Sequence, residues 1–168
     1  MEILNSIPAD IDRLFELYDA ATLYQKTVGG LAWKGFDREP VLKEIEAGDQ
    51  WKIMIDGQIA AVFLIAWSDP LIWKEKDQED AIYIHRIAID PLFRGQHFVK
   101  HIITWSKAYA LEHGRSFLRM DTGAGNERLN NYYISCGFSY LGIVPIGDAG
   151  DLPAHYHNRS FSLFEMAI

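Results

Sequence analysis

At 168 residues the chain has the length of one ordinary domain, and no repeat, low-complexity tract or flexible linker divides it, so residues 1–168 are read as one domain. Apolar residues at 49% and aromatics at 13% supply a continuous core, and 23% charged residues exclude a disordered chain. A net charge of −7 argues against a nucleic-acid partner, which needs a basic surface; the single cysteine, Cys136, excludes an intrachain disulfide and a cysteine-based zinc site. The opening residues lack a basic segment followed by an apolar one, and no run of about 18 apolar residues occurs, so the expectation is a cytoplasmic protein with no membrane span.

In chain order, Glu2 to Asn5 suits a short first strand. Pro8 opens a helical pattern with Ile11, Leu14, Phe15, Tyr18 and Ala21 on one stripe. Thr27 to Gly35 reads as a loop, and a short helix after Asp37 turns Val41, Leu42 and Ile45 inward before stopping at Gly48. Trp51–Ile55 and Gln58–Trp67 are strands around an Asp56-Gly57 hairpin turn. Ser68 to Asp80, polar and charged, reads as an exposed loop, and Ala81 to Asp90 as a strand ending at Pro91. Helical spacing runs from Arg94 to His113, with Phe98, Ile102, Trp105 and Tyr109 on one stripe and Gly114 as the stop. A strand at Phe117–Thr122, a helix from Asn126 to Gly137, and strands at Phe138–Val144 and Ser160–Met166 complete the chain. Strands that precede and separate helices imply a mixed α/β (α+β) sheet with helices on both faces.

The segment Ile87 to Ile103 carries the chemistry. It sets a strand, a proline-marked turn and a helix start in succession. The unpaired N–H groups of such a start, with the helix dipole behind them, suit a pyrophosphate, and Arg94 adds positive charge at the rim. The turn, Pro91-Leu92-Phe93-Arg94-Gly95-Gln96-His97-Phe98-Val99, resembles the pyrophosphate motif of the GNAT N-acetyltransferases, [Gln/Arg]-x-x-Gly-x-[Gly/Ala]. Arg94 matches; His97 and Val99 stand where the family has small residues. A second stretch, Asn126 to Phe138, is similar to the family's N-x-x-A-x-x-[FY]-Y-x-x-x-G-F signature, with Leu129 for the small residue.

The resemblance implies the GNAT fold, a mostly antiparallel sheet of six to seven strands, and acetyl transfer from acetyl-CoA to an amine acceptor, small molecule or peptide. It implies a coenzyme A site made of Ile87, Ala88 and Ile89, the turn residues Arg94, Gly95, Gln96, His97, Phe98, Val99 and Lys100, and Asn126 with Tyr133. Tyr133 is then the general acid that protonates the leaving thiolate. Strict alternation places Tyr83, His85, Ile87 and Ile89 on one strand face. Arylalkylamine-type members carry a histidine at the His85 position, and an imidazole there could take the acceptor's proton; packing in a wet cleft is the other reading of His85. Asn126 equally suits a helix cap.

No metal is expected: His155 and His157 lack a third ligand nearby and read as surface or substrate-loop residues. Gly123-Ala-Gly125 lacks the dinucleotide context, there is no P-loop, and Cys136 reads as core. Trp33, Trp67 and Trp73 are candidates for an acceptor pocket. The rival to catalysis is an acyl-CoA-binding module that keeps the turn and lacks turnover. Acceptor identity is not legible in the residues, and a homodimer is compatible with them.

Overall fold

The computed structural model describes residues 1–28, 32–78, 80–146 and 159–168. Strands β1 (Glu2–Asn5), β2 (Gln50–Ile55) and β3 (Gln58–Ala66) form an antiparallel ribbon. The β2–β3 turn is fixed locally, because Asp56 (φ 48°) and Gly57 (φ 78°) both take the left-handed conformation a tight hairpin needs. Strand β4 (Ala81–Ile89) continues the sheet, followed by β5 (Phe117–Gly123), β6 (Ser139–Ile146) and β7 (Arg159–Ala167). The seven strands lie in the order β1-β2-β3-β4-β5-β7-β6, and only β4 and β5 run parallel.

Helices cover both faces. On one, α1 (Ile11–Thr27) and α2 (Arg38–Glu46) bury Leu14, Leu17, Tyr18, Val41 and Ile45 against Val62 and Ala88. A four-residue helix, α3 (Pro70–Trp73), brings Ile72 and Trp73 onto Ala81, Tyr83 and Leu163. On the opposite face, α4 (Phe98–Glu112) and α5 (Glu127–Ser135) pack Phe98, Ile102 and Tyr133 over Ile82, Ile84 and Leu118. Among the described residues no helix is long and apolar enough to cross a membrane.

Three expectations are corrected. The Ser68–Asp80 segment is not simply an exposed loop: it holds α3 and a 3-10 turn at Lys74–Gln78, because Asp69 caps the helix that Pro70 starts. Helix α4 begins at Phe98 and not at Arg94, since Pro91–Phe93 forms its own 3-10 turn and Gly95 (φ 86°) and His97 (φ 56°) then reverse the backbone.

The third correction concerns β4. Val62 pairs with Ala88 but Leu64 pairs with His85, so β4 carries one extra residue there, a bulge with Arg86 at φ 51°. Alternation therefore reverses at the bulge. Ile82, Ile84, Ile87 and Ile89 all pack toward α4 and α5, whereas Tyr83 and His85, stacked with ring centroids 6.4 Å apart, lie on the other face. His85 and Ile87 do not share a face.

Candidate active site

Strands β4 and β5 pair only from Ala81–Tyr83 against Phe117–Arg119; past that point no pairing joins them. The opening so made is a cavity of 640 Å³, with Ile87, Asn126 and Tyr133 in its lining together with His85, Asp121 and Trp33. The bulge lets the two groups reach one space from opposite faces of the sheet. Trp67 and Trp73 do not line it: Trp67 donates to Asp49 Oδ1 at 3.2 Å, and Trp73 is buried beside Tyr83.

The turn after β4 is anchored by Asp90. Its Oδ1 accepts the Leu92 N–H at 2.7 Å, its own N–H donates to the Ala60 carbonyl at 2.9 Å, and its other oxygen pairs with Arg13 of α1. Of the amides from Gly95 to Lys100, only that of Lys100 has a backbone partner, the His97 carbonyl at 2.9 Å, among the described residues. These free donors open onto the positive end of a 15-residue helix, the arrangement that holds a phosphate group. Val99 packs against the core beneath α4, so its isopropyl group is accounted for away from the turn. His97 is exposed and takes the left-handed conformation that glycine adopts at least cost. Arg94 lies with its guanidinium 4.2 Å from the Tyr24 ring centroid. None of Arg94, Gly95, Gln96, His97, Phe98, Val99 and Lys100 lines the cavity, and Ala88 is buried toward α1 and α2. The turn is a separate part of the expected cofactor path from the cavity.

On α5, Asn126 caps the helix, its Oδ1 accepting the Leu129 N–H at 3.0 Å. Tyr133 is 8% exposed, with its ring against Phe164 (5.3 Å) and Phe138 (6.5 Å). Burial raises its phenol pKa, and Tyr132, Cys136 and Asp121 push it further in the same direction, so Tyr133 holds its proton at neutral pH. Cys136 is half-buried against the core.

The opposite side of the cavity holds a constellation that the sequence reading missed. His85 Nε2 lies 3.5 Å from Asp69 Oδ2, and His85 Nδ1 lies 3.7 Å from Asp121 Oδ1. Both separations exceed a good hydrogen bond, and both carboxylate oxygens are buried without a hydrogen-bond partner. Burial, with a smaller contribution from Arg86, lowers the His85 pKa to about 4. Burial raises Asp69 to about 6, against the opposing hydrogen bond from the Ile72 N–H and with help from Asp77. Asp121 is raised well above the usual carboxylate range by burial and then by Asp69. At neutral pH the ring is uncharged, and Asp121 gains from any ligand that brings a proton or a positive charge.

Arg119 ties this side together. Fully buried, it donates to Glu165 Oε2 (2.8 Å), the Lys76 carbonyl (2.5 Å) and the Tyr83 hydroxyl (3.1 Å), and lies 4.8 Å from the Trp73 ring centroid. It thereby binds the α3 segment, and Asp69 with it, to the sheet. Asp-Pro at 69–70 was the one local signal for this element, and a charged residue inside the apolar strand Phe117–Thr122 was the signal for Asp121. His155 and His157 lie outside the described residues.

Comparison with known proteins follows the same lines. The family model described as "Acetyltransferase (GNAT) family" matches residues 13–138. The uncharacterized N-acetyltransferase YesJ of Bacillus subtilis (strain 168) is 26% identical over 114 residues, a match spanning 65% of this chain and 63% of that protein. Among solved structures, a GNAT-family acetyltransferase from Listeria monocytogenes 4b F2365 superposes with a TM-score of 0.79 at 23% identity, over 99% of this chain and 94% of the other. YncA of Salmonella typhimurium, solved with its cofactor acetyl-CoA, superposes with a TM-score of 0.69 at 14% identity, over 99% and 93% of the two chains. At these identities the structures speak to the fold.

Proposed function

This chain belongs to the GNAT acetyltransferase family, and from that premise we propose that it moves an acetyl group from acetyl-CoA to an amine by direct attack within a ternary complex. The observation that carries the reading is the unpaired stretch of β4 and β5, whose cavity has Tyr133 in its wall, together with the amide-rich turn at Gly95–Val99 that follows β4 in the chain. Acetyl-CoA supplies the activated acyl group and the thiolate leaving group. The turn amides hold its diphosphate, and the backbone of β4 near Ile87 and Ile89, left without a strand partner on the β5 side, pairs with the pantetheine amides.

Each remaining role falls to a group of this chain. The backbone N–H near Ile87 stabilises the oxyanion that forms at the acyl carbon. Tyr133, kept protonated by burial, delivers its proton to sulfur as the thiolate leaves. The bulge at Arg86 turns the acceptor-facing residues to the α1–α2–α3 side, so acceptor and acyl donor approach through opposite faces of the sheet.

Calorimetric titration with coenzyme A, followed by thiol release from acetyl-CoA with a mixed panel of amines, tests the reading. Binding together with amine-dependent release is the expected result. Absence of coenzyme A binding overturns the reading, and binding with no release under any amine makes the chain an acyl-CoA-binding module instead.

A further inference from the structure

We propose that Asp121 and His85 receive the acceptor as an alkylammonium ion and remove its proton, with Asp69 positioning the His85 ring from behind, so that the acceptor class is a primary aliphatic amine that arrives cationic. The inference rests on the acyltransferase reading above and assigns the acceptor half of the same site.

Four observations converge on it. Asp121 and His85 line the cavity, whereas Asp69 does not, which ranks the groups by access to a ligand. The Asp121 side chain is only 6% exposed, yet its Oδ1 has no hydrogen-bond partner, an arrangement that costs stability unless a donor arrives. The two carboxylates face different nitrogens of one ring. A neutral imidazole has one N–H and one lone pair, so it can serve one carboxylate as donor while its other nitrogen accepts from a ligand N–H or from a protonated carboxyl. Finally, burial and the neighbouring Asp69 raise the proton affinity of Asp121, so it takes a proton from an ammonium more readily than a solvated carboxylate does. Nearby charge comes from Arg86, paired with Glu44, from Asp77 beside Asp69, and from the phenols of Tyr83 and Tyr133.

The proton balance closes with the groups present. The ammonium, paired with the Asp121 carboxylate, gives one proton to the free ring nitrogen of His85, which hands it on to Asp121, leaving a neutral amine and a neutral ring. Its lone pair forms the C–N bond at the acyl carbon, and the C–S bond breaks as Tyr133 protonates sulfur. The second proton on nitrogen then passes to the Tyr133 phenolate. The products are the amide and the free thiol, and the proton left on Asp121 returns to solvent.

The test compares wild type, Asp121→Asn, His85→Gln and Asp69→Asn against 1,4-diaminobutane, phenethylamine, hexylamine, aniline and free amino acids, with acetyl-CoA saturating. Wild type acetylates at least one of the alkylamines and neither aniline nor the amino acids. Asp121→Asn raises the KM for that alkylamine about tenfold or more, since a charge-assisted hydrogen bond is lost, while the KM for acetyl-CoA stays within about twofold. His85→Gln lowers kcat by about a hundredfold. Asp69→Asn moves the pH at which kcat rises while leaving the alkylamine KM within about threefold, which separates a positioning role from a merely structural one. Unchanged alkylamine KM in Asp121→Asn overturns the inference, as does preference for aniline or amino acids, activity that needs a divalent metal, or a chain that binds coenzyme A and acetylates no alkylamine. Failure to bind coenzyme A at all is the different result that removes the acyltransferase reading itself.

Discussion

The turn from Asp90 to Lys100, outside the cavity, and the Asp69–His85–Asp121 constellation, whose His85 and Asp121 line it, are built by opposite means. In the turn the groups proposed to bind are main-chain amides, set in place by Asp90, Pro91 and two residues of positive φ. In the constellation they are side chains from α3, β4 and β5, brought within 4.8 Å of one another by the sheet and by the buried Arg119. A backbone site survives changes of side chain as long as the path of the chain is kept, which is how His97 and Val99 can stand where small residues are usual. A side-chain site has no such tolerance, because each atom that meets the ligand is the one that substitution removes.

The largest effect lies at Tyr133, in the wall of the cavity. Tyr133→Phe keeps the ring packing on Phe164 and Phe138 but removes the proton source, so kcat falls by about a hundredfold with the KM for acetyl-CoA nearly unchanged. Steady-state kinetics with both substrates varied checks this; an unaltered kcat removes Tyr133 from the chemistry. Next comes the anchor of the turn. Asp90→Ala deletes the cap to Leu92 and the pairing with Arg13, which costs ~1–2 kcal/mol of stability and lowers Tm by about 4 °C. Coenzyme A affinity drops about tenfold as the free amides lose their alignment. If calorimetry shows an unchanged Kd, the backbone of this turn does not depend on Asp90.

The side-chain half is sharpened by its pH dependence. Asp121 has a raised folded-state pKa, so the stability it contributes is full below the ordinary carboxylate pKa and is lost as pH rises toward the folded value. Asp69 acts in the same sense, between the usual value of 3.8 and about 6. His85 is opposite: its stability is full above 6.5 and lost as pH falls toward about 4. The difference between a variant and wild type isolates one group from these opposed slopes. Asp121→Asn is neutral at every pH, so its Tm exceeds that of wild type by about 3 °C at pH 8 and matches it near pH 4. A Tm gain that is the same at both pH values ties the effect to packing and not to charge.

This contrast also governs what the chain reveals before it folds. The turn and the α5 cap were legible because their causes are local: Asp90-Pro91 starts a 3-10 turn, Asn126 caps α5, and Asp56-Gly57 closes a hairpin, each within a few residues. The strands and the stripes of α1 and α4 followed from period alone. The bulge at Arg86 was not legible, since it is defined by register against Val62 and Leu64, about 20 residues away; with it went the true face of His85. Asp69 was lost because charge and Pro70 made its segment look solvated, whereas Arg119 of β5, distant in the chain, ties that segment to the sheet through the Lys76 carbonyl. Asp121 is one residue inside a strand whose burial depends on the pairing with β7. Contacts made across the sheet leave no periodic trace.

The smallest expected effect probes the tolerance of the backbone half. His97 has φ 56° and ψ 31°, a conformation that costs a residue with a Cβ roughly 1–2 kcal/mol. Glycine at this position relieves that strain but gives back about 0.5–1 kcal/mol through the greater freedom of the unfolded chain. His97→Gly therefore changes Tm by no more than about 3 °C. It also removes the exposed imidazole from the turn, and the expected outcome is a Kd for coenzyme A about two- to threefold tighter, ~0.5 kcal/mol. A tenfold loss of affinity by calorimetry has a different meaning. It makes the His97 ring itself a ligand of the diphosphate, so that this half of the site, too, is built in part from a side chain.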